Sequence, residues 1–337
     1  MKFDENYYQQ VISEHGYKAI DFNPIDFNLK NLSKDFLKYK WLCHVDGNEF
    51  SQSLLASKKC IVSTGFGLSG IPHVGTVSQM LNAITLQKAG LKVQIVLGDL
   101  DSYNSRNQSL DLVNERAEQY RQFITAIGFD SNVGILRKQI THLEVLLTAY
   151  LSANALKDSD FEETEEDISY LYKEKGIYKG IEFPVKQSIL LMASDFIILG
   201  KEYENVLVTL GIDEHKYVQL ARKVISRQAL NVSVAGMYSR VTKGFNGYPK
   251  MSKSIPGSGI TVDMKPEEIL SLICNHKEQD KNPFESTVFQ MMCQLSNYQP
   301  SELDKLYQSC LDGGSEWDKD KKKYADFVIE LFKKWQK

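Results

Sequence analysis

The sequence predicts an α/β fold built on a doubly wound, parallel (Rossmann-like) sheet, and three observations carry that expectation. Short apolar runs read as strands, helical stretches alternate with them, and a glycine-rich turn joins the first such strand to its helix. Flanking this core, the spacing predicts a helical arm at residues 1–57 and an all-helical C-terminal domain at 263–337, leaving 58–262 as the catalytic unit.

In the arm, short amphipathic stretches are broken at Asn23-Pro24 and at Asp46-Gly47-Asn48. Cys60 to Thr64 is the first core strand, and Val93 to Gly98 the second. Between them, Met80, Leu81, Ile84 and Leu86 fall at helical spacing, which gives a strand–helix–strand unit long enough for a parallel crossover. Leu110 to Ile127 reads as another helix and Val133 to Leu136 as a third strand. An insertion is expected at about 137–182, and its acidic run from Asp158 to Asp167 reads as a solvated turn or helix start. Val206 to Leu210 and Val232 to Ala235 are two further strands that bracket a helix from Glu214 to Arg227. Beyond Lys265 strand signals stop, and four helical stretches follow, the last ending at Trp335.

Composition narrows the class. Of 337 residues 42% are apolar and 25% charged, so the chain can bury a large core, and disordered and collagen-like classes are excluded. The five cysteines are scattered without a CxxC pair, which offers neither a disulfide framework nor a zinc site and reads as buried thiols. The polar N-terminus lacks the apolar core of a signal peptide, and no uninterrupted apolar run approaches the ~18 residues of a membrane span. A cytoplasmic protein without a membrane partner is expected. With a net charge of -3, any nucleic-acid contact must be local, and the lysines of the C-terminal tail fit a solvated helix face.

Two motifs carry chemistry. The first, Thr64 to Thr76 (TGFGLSGIPHVGT), leaves a strand, turns on glycines and opens a helix. Glycine lets backbone approach a ligand, and a helix N-terminus favours anions, so phosphate binding is the expectation. Gly65, Gly67 and Gly70 also satisfy GxGxxG, which keeps a dinucleotide-dependent dehydrogenase in competition. Against it, the acidic residue expected about twenty positions on is missing, since Asp99 and Asp101 come later. The second motif, Tyr248 to Ile260 (YPKMSKSIPGSGI), places two lysines and several serines in a glycine- and proline-punctuated loop suited to clamping a polyphosphate. A bland surface loop is the alternative for that segment taken alone.

His73-Val74-Gly75-Thr76 resembles the HIGH signature of the class I aminoacyl-tRNA synthetases, and Lys250-Met251-Ser252-Lys253-Ser254 matches their KMSKS signature letter for letter. Phe183-Pro184-Val185-Lys186-Gln187 and Gly211-Ile212-Asp213-Glu214-His215 resemble the tryptophanyl/tyrosyl branch, and the arm and C-terminal helices are similar in order to eukaryotic-type tryptophanyl enzymes as in a divergent paralog. This resemblance implies ATP-dependent activation of an amino acid to its adenylate, Mg²⁺ on the phosphates, transfer to tRNA, and a homodimer. A paralog delivering the activated amino acid to another acceptor is the alternative.

Residue by residue, the resemblance implies that His73 and Thr76 face the phosphates and that Gly65, Gly67 and Gly75 admit the nucleotide. It further implies that Asp213 takes the ribose, and that Lys250, Ser252, Lys253 and Ser254 hold the leaving pyrophosphate. Ser63, Thr64, Asp99, Gln187, Leu190 and Glu214 would line the amino-acid pocket. A helix N-cap is an equally natural reading of Asp213. Three positions depart from the pattern: Thr76 replaces the second histidine, Ser63-Thr64 replaces an aromatic partner for an indole, and Leu190 replaces a side-chain-reading aspartate. Substrate specificity therefore does not follow from the resemblance.

Overall fold

The computed structural model describes residues 3–20, 27–165, 169–174, 176, 180–252, 255, 257–277 and 282–335. Its centre is a seven-stranded sheet made of β1 (Lys18–Ala19), β2 (Cys43–Val45), β3 (Cys60–Gly67), β4 (Val93–Gly98), β5 (Ile135–Lys138), β6 (Asn205–Gly211) and β7 (Ser233–Ser239). The strand order is β1-β2-β7-β6-β3-β4-β5. From β7 to β5 neighbours run parallel, while β1 and β2 add on antiparallel. The chain moves outward from β3 through β4 to β5, then returns to β6 on the other side of β3. That reversal opens a crevice at the carboxyl ends of β3 and β6, where doubly wound sheets bind ligands.

Every residue of β4 is buried, as are Val206 to Leu210 of β6, because helices cover both faces. On one face Val62, Phe66 and Ile95 pack with the helix Val74–Lys88. On the other, Ile61, Val206 and Val208 pack with the helix Phe183–Tyr203. That second helix is long and apolar enough to cross a bilayer by composition alone, yet most of its apolar stretch is buried inside the protein. The first core extends into the C-terminal helices through Val288, Tyr324 and Trp335, whose indole meets Tyr120 and Phe123 edge-on.

Two expectations shift. The arm contains the predicted helices Glu5–Glu14, Lys34–Lys40 and Gly47–Leu55, but it also supplies β1 and β2. Cys43-His44-Val45 was too short to read as a strand, and only the open edge of β7 gives its backbone a partner, Cys43 lying opposite Tyr238. β5 begins two residues later than its apolar run, at Ile135, because pairing with β4 sets its register. In the acidic run, Asp160 is buried rather than solvated. Arg227 and Lys223 hold its carboxyl well below the usual carboxylate range. Cys43 and Cys293 are buried as expected, whereas Cys60, Cys274 and Cys310 are half-buried, and all five are free thiols.

Candidate active site

The glycine-rich turn leaves β3 and delivers His73 to the start of the Val74–Lys88 helix. There the imidazole acts as N-cap, its Nδ1 accepting from the Gly75 N–H at 3.0 Å. A Cβ on Gly75 would lie 2.9 Å from the His73 ring, so glycine is required by the cap itself. Thr76 follows at 8% exposure and lines the same cavity as His73 and Gly75.

The lysine loop is tied to this turn by backbone. Val74 N–H donates to Ile260 C=O, and Val262 N–H to Pro72 C=O, so the tail of the second motif runs antiparallel to the segment before the helix. The loop's neck closes at Gly244, where a Cβ would stand 2.8 Å from Lys250 O and 2.9 Å from Ser258 O. Met251 is buried beneath it, and the Ser258 hydroxyl accepts from Ser252 N–H and donates to Ile255 C=O. These anchors set the direction of Lys250, whose ammonium donates to Asp213 at 2.8 Å with both side chains mostly hidden. Asp213 folds back over the end of β6. Its Oδ1 would come 2.5 Å from a Cβ on Gly211, which explains the glycine there.

His73, Gly75, Thr76, Asp213, Lys250 and Ser252 line one cavity of about 430 Å³, within the usual range for a small-molecule site. Gly65, Gly67, Ser63, Thr64 and Glu214 line it as well. Lys253 and Ser254 lie outside the described residues.

Three expected pocket residues sit elsewhere. Asp99 is buried but turned away, its Oδ1 accepting from the Gln139 and Ile140 N–H groups, so its carboxylate fixes the chain after β5. Asp101, one helical turn later in position, lines the cavity instead. Gln187 is exposed, and Leu190 belongs to the apolar core. The helical phase is the reason for both. The face of Phe183–Tyr203 lining the cavity carries Val185, Ser188, Ile189, Met192, Asp195 and Phe196, and Gln187 and Leu190 point off it.

Sequence reasoning missed three polar residues of the cavity wall. Ser188 and Asp195 stand among apolar neighbours, and only their spacing of seven marks a shared helix face. Arg240 follows β7 and also lines the cavity. Glu5 pairs with its guanidinium at 3.4 Å, and the Tyr8 and Phe284 rings flank it. Burial raises the Tyr8 phenol well above its ordinary range, so its hydroxyl stays protonated, accepting from Val241 N–H and donating to Val241 C=O.

A crevice at the turning point of a parallel sheet, roofed by a glycine-turned helix start and a lysine-bearing loop, defines a nucleotide-using α/β enzyme. The chain belongs to the tRNA synthetases class I (W and Y), whose family description it matches over residues 55–333. Members are ligases that activate an amino acid with ATP. The tryptophan–tRNA ligase of Methanocaldococcus jannaschii is 23% identical, covering 97% of this chain and 90% of its own length. The tyrosine–tRNA ligase of Methanobrevibacter smithii is 25% identical, covering 71% and 73%. Among solved structures, tryptophanyl-tRNA synthetase from Aeropyrum pernix superposes with a TM-score of 0.77 at 19% identity, covering 98% of this chain and 94% of that one. The tryptophan-bound enzyme from Encephalitozoon cuniculi gives 0.73 at 14% identity, covering 98% and 96%.

Proposed function

We propose that this chain forms an aminoacyl-adenylate in the cavity between the His73 turn and the Lys250 loop and then transfers the aminoacyl group to the 3′ end of a tRNA. The single observation that carries this assignment of the site is the meeting of His73, Asp213 and Lys250, from three distant segments, on one cavity at the carboxyl ends of β3 and β6.

In the first step the substrate carboxylate attacks the α-phosphorus of ATP, the bond to the β-phosphate oxygen breaks, and pyrophosphate leaves with the electron pair. A carboxylate is already ionised at neutral pH, so no general base is needed, and positioning plus charge neutralisation carry the rate. Lys250 and Arg240 supply positive charge at the cavity, and the helix start beside His73 supplies backbone N–H donors. Lys250 is held by Asp213 in the structure, so ATP exchanges partners with it: the ribose hydroxyls take Asp213 and the phosphates take the ammonium. Among the described residues no cluster of three His, Cys, Asp or Glu side chains could cage a metal, so Mg²⁺ in this reading is bound by the phosphates and water. In the second step a terminal ribose hydroxyl of tRNA attacks the aminoacyl carbonyl and AMP leaves.

The reading includes a homodimer and a cytoplasmic location. Support for the dimer comes from the helix Leu143–Ser152, where Leu143, Leu146, Leu147, Tyr150 and Leu151 form one exposed stripe, Tyr150 at 81% exposure. Pyrophosphate exchange with each of the twenty standard amino acids, followed by charging of total tRNA with the active one, tests the function. Exchange without charging would redirect the product to another acceptor, and no exchange at all would remove activation.

A further inference from the structure

The floor of the cavity holds a polar network that the activation chemistry does not use. Register sets Ser63 of β3 opposite Gln94 of β4, on the face covered by the helix Phe183–Tyr203. Gln94 Nε2 donates to Ser63 Oγ at 3.3 Å and to Asp195 Oδ1 at 3.0 Å. Arg137 of β5 donates from Nη2 to both Asp195 oxygens at 2.6 and 2.7 Å, and from Nε to Gln94 Oε1 at 3.1 Å. The two charges fix the amide orientation, since Oε1 must face the guanidinium and the amino group the carboxylate. Ser63, Gln94 and Asp195 are at most 3% exposed.

Two consequences follow for a ligand. The carboxylate of Asp195 is neutralised by Arg137, so an ionised group placed on this floor would be buried without a counter-charge. The hydroxyl of Ser188, 4% exposed on the same cavity wall, has no hydrogen-bond partner, and Ser63 Oγ only accepts. An apolar group there would leave both hydroxyls unsatisfied. Depth separates this floor from the chemistry. Ser63 lies four positions before Gly67, the end of β3, which is about 13 Å of strand. Asp213 and Glu214 follow the end of β6 at the mouth.

We propose that this pocket selects an amino acid with an extended, uncharged side chain ending in a hydrogen-bonding group, read by the hydroxyls of Ser188 and Ser63. Gln94, Asp195 and Arg137 are positioning residues that hold Ser63. The proposal rests on the activation reading above, and Ser188 takes over the discrimination that Leu190, facing the core, does not perform.

The test is pyrophosphate exchange by the full chain across the twenty amino acids, then kcat/KM for the best one against its isostere lacking the polar group. The expected best substrate is uncharged and polar-tipped, with a preference of at least about a hundredfold over the isostere. Ser188→Ala and Ser63→Ala are each expected to shrink that ratio by about tenfold or more, and Gln94→Leu to shrink it as Ser63→Ala does. Loss of fold alone lowers both substrates together and leaves the ratio in place, so the ratio separates selection from stability. A best substrate that is charged or wholly apolar, or a ratio untouched by both serine variants, overturns the inference while leaving activation standing. Failure to exchange with any amino acid overturns activation, and this inference with it.

Discussion

At the scale of single residues, the Lys250–Asp213 pair joins the two halves of the site, and its value lies in what replaces it. A cation that meets charge developing on a leaving pyrophosphate acts on the transition state more than on bound ATP. Lys250→Ala is therefore expected to lower kcat for pyrophosphate exchange by about a hundredfold or more while KM for ATP changes only a few-fold. Equal turnover by the variant in a steady-state assay would remove Lys250 from the clamp. His44 makes a prediction about stability. Its ring is fully buried, Nδ1 accepts from Gly47 N–H, Nε2 has no partner, and burial lowers its pKa to about 4. The unfolded chain therefore binds a proton that the folded one refuses between pH ~6.5 and ~4. Wild type should lose stability relative to His44→Gln as pH falls through that window, by up to about 3 kcal/mol, in urea titrations at pH 7 and pH 4.5. Identical pH slopes for the two proteins would contradict a buried neutral imidazole.

Elements explain why those residues meet. The lysine loop is a tied structure whose neck, base and tail are set by Gly244, Met251 and the backbone bonds to Pro72 and Val74. Gly244→Ala would force apart Lys250 O, Tyr248 and Ser258 O, so activation should fall about tenfold or more with a Tm change of only a few degrees. Stopped-flow or exchange rates alongside a thermal melt check this, and a large Tm loss with normal specific activity would show that the neck serves folding alone. The helix Phe183–Tyr203 illustrates the limits of motif matching. Its first turn carries the family-like residues up to Gln187, yet the phase of the helix presents Ser188 and Asp195 to the cavity. Phase depends on how the helix packs against β6 and β3, and a motif does not carry that information.

Across the whole molecule one apolar core links the sheet to the C-terminal helices, with Trp335 wedged against Tyr120 and Phe123. The division of the chain at about residue 263 is thus a division of roles. A fragment ending at residue 262 would expose Val77, Met80 and their neighbours, and is expected to be insoluble or molten on expression, as judged by near-UV circular dichroism and solubility. The exposed stripe on Leu143–Ser152 leads to the opposite kind of experiment. If it joins two copies, Leu147→Glu with Tyr150→Lys should convert a dimer to a soluble monomer in light scattering, leaving the fold intact. A wild-type monomer at micromolar concentration would end the dimer proposal.

The sequence by itself determined the alternation of strands and helices, the order of the two motifs and the chemistry they share. Each depends on local periodicity or on residues close together in the chain, such as the glycine turn before His73 or the lysines around Met251. The tertiary structure alone decided which polar groups face the ligand. It turned Asp99 to the backbone after β5 and Asp101 to the cavity, buried Leu190, and gathered Ser63, Gln94, Arg137 and Asp195 from four elements into one network. The physical reason is that a side chain's direction follows from strand register and helix phase, which long-range packing sets, and a buried charge such as Asp195 is tolerated only where that packing brings its partner.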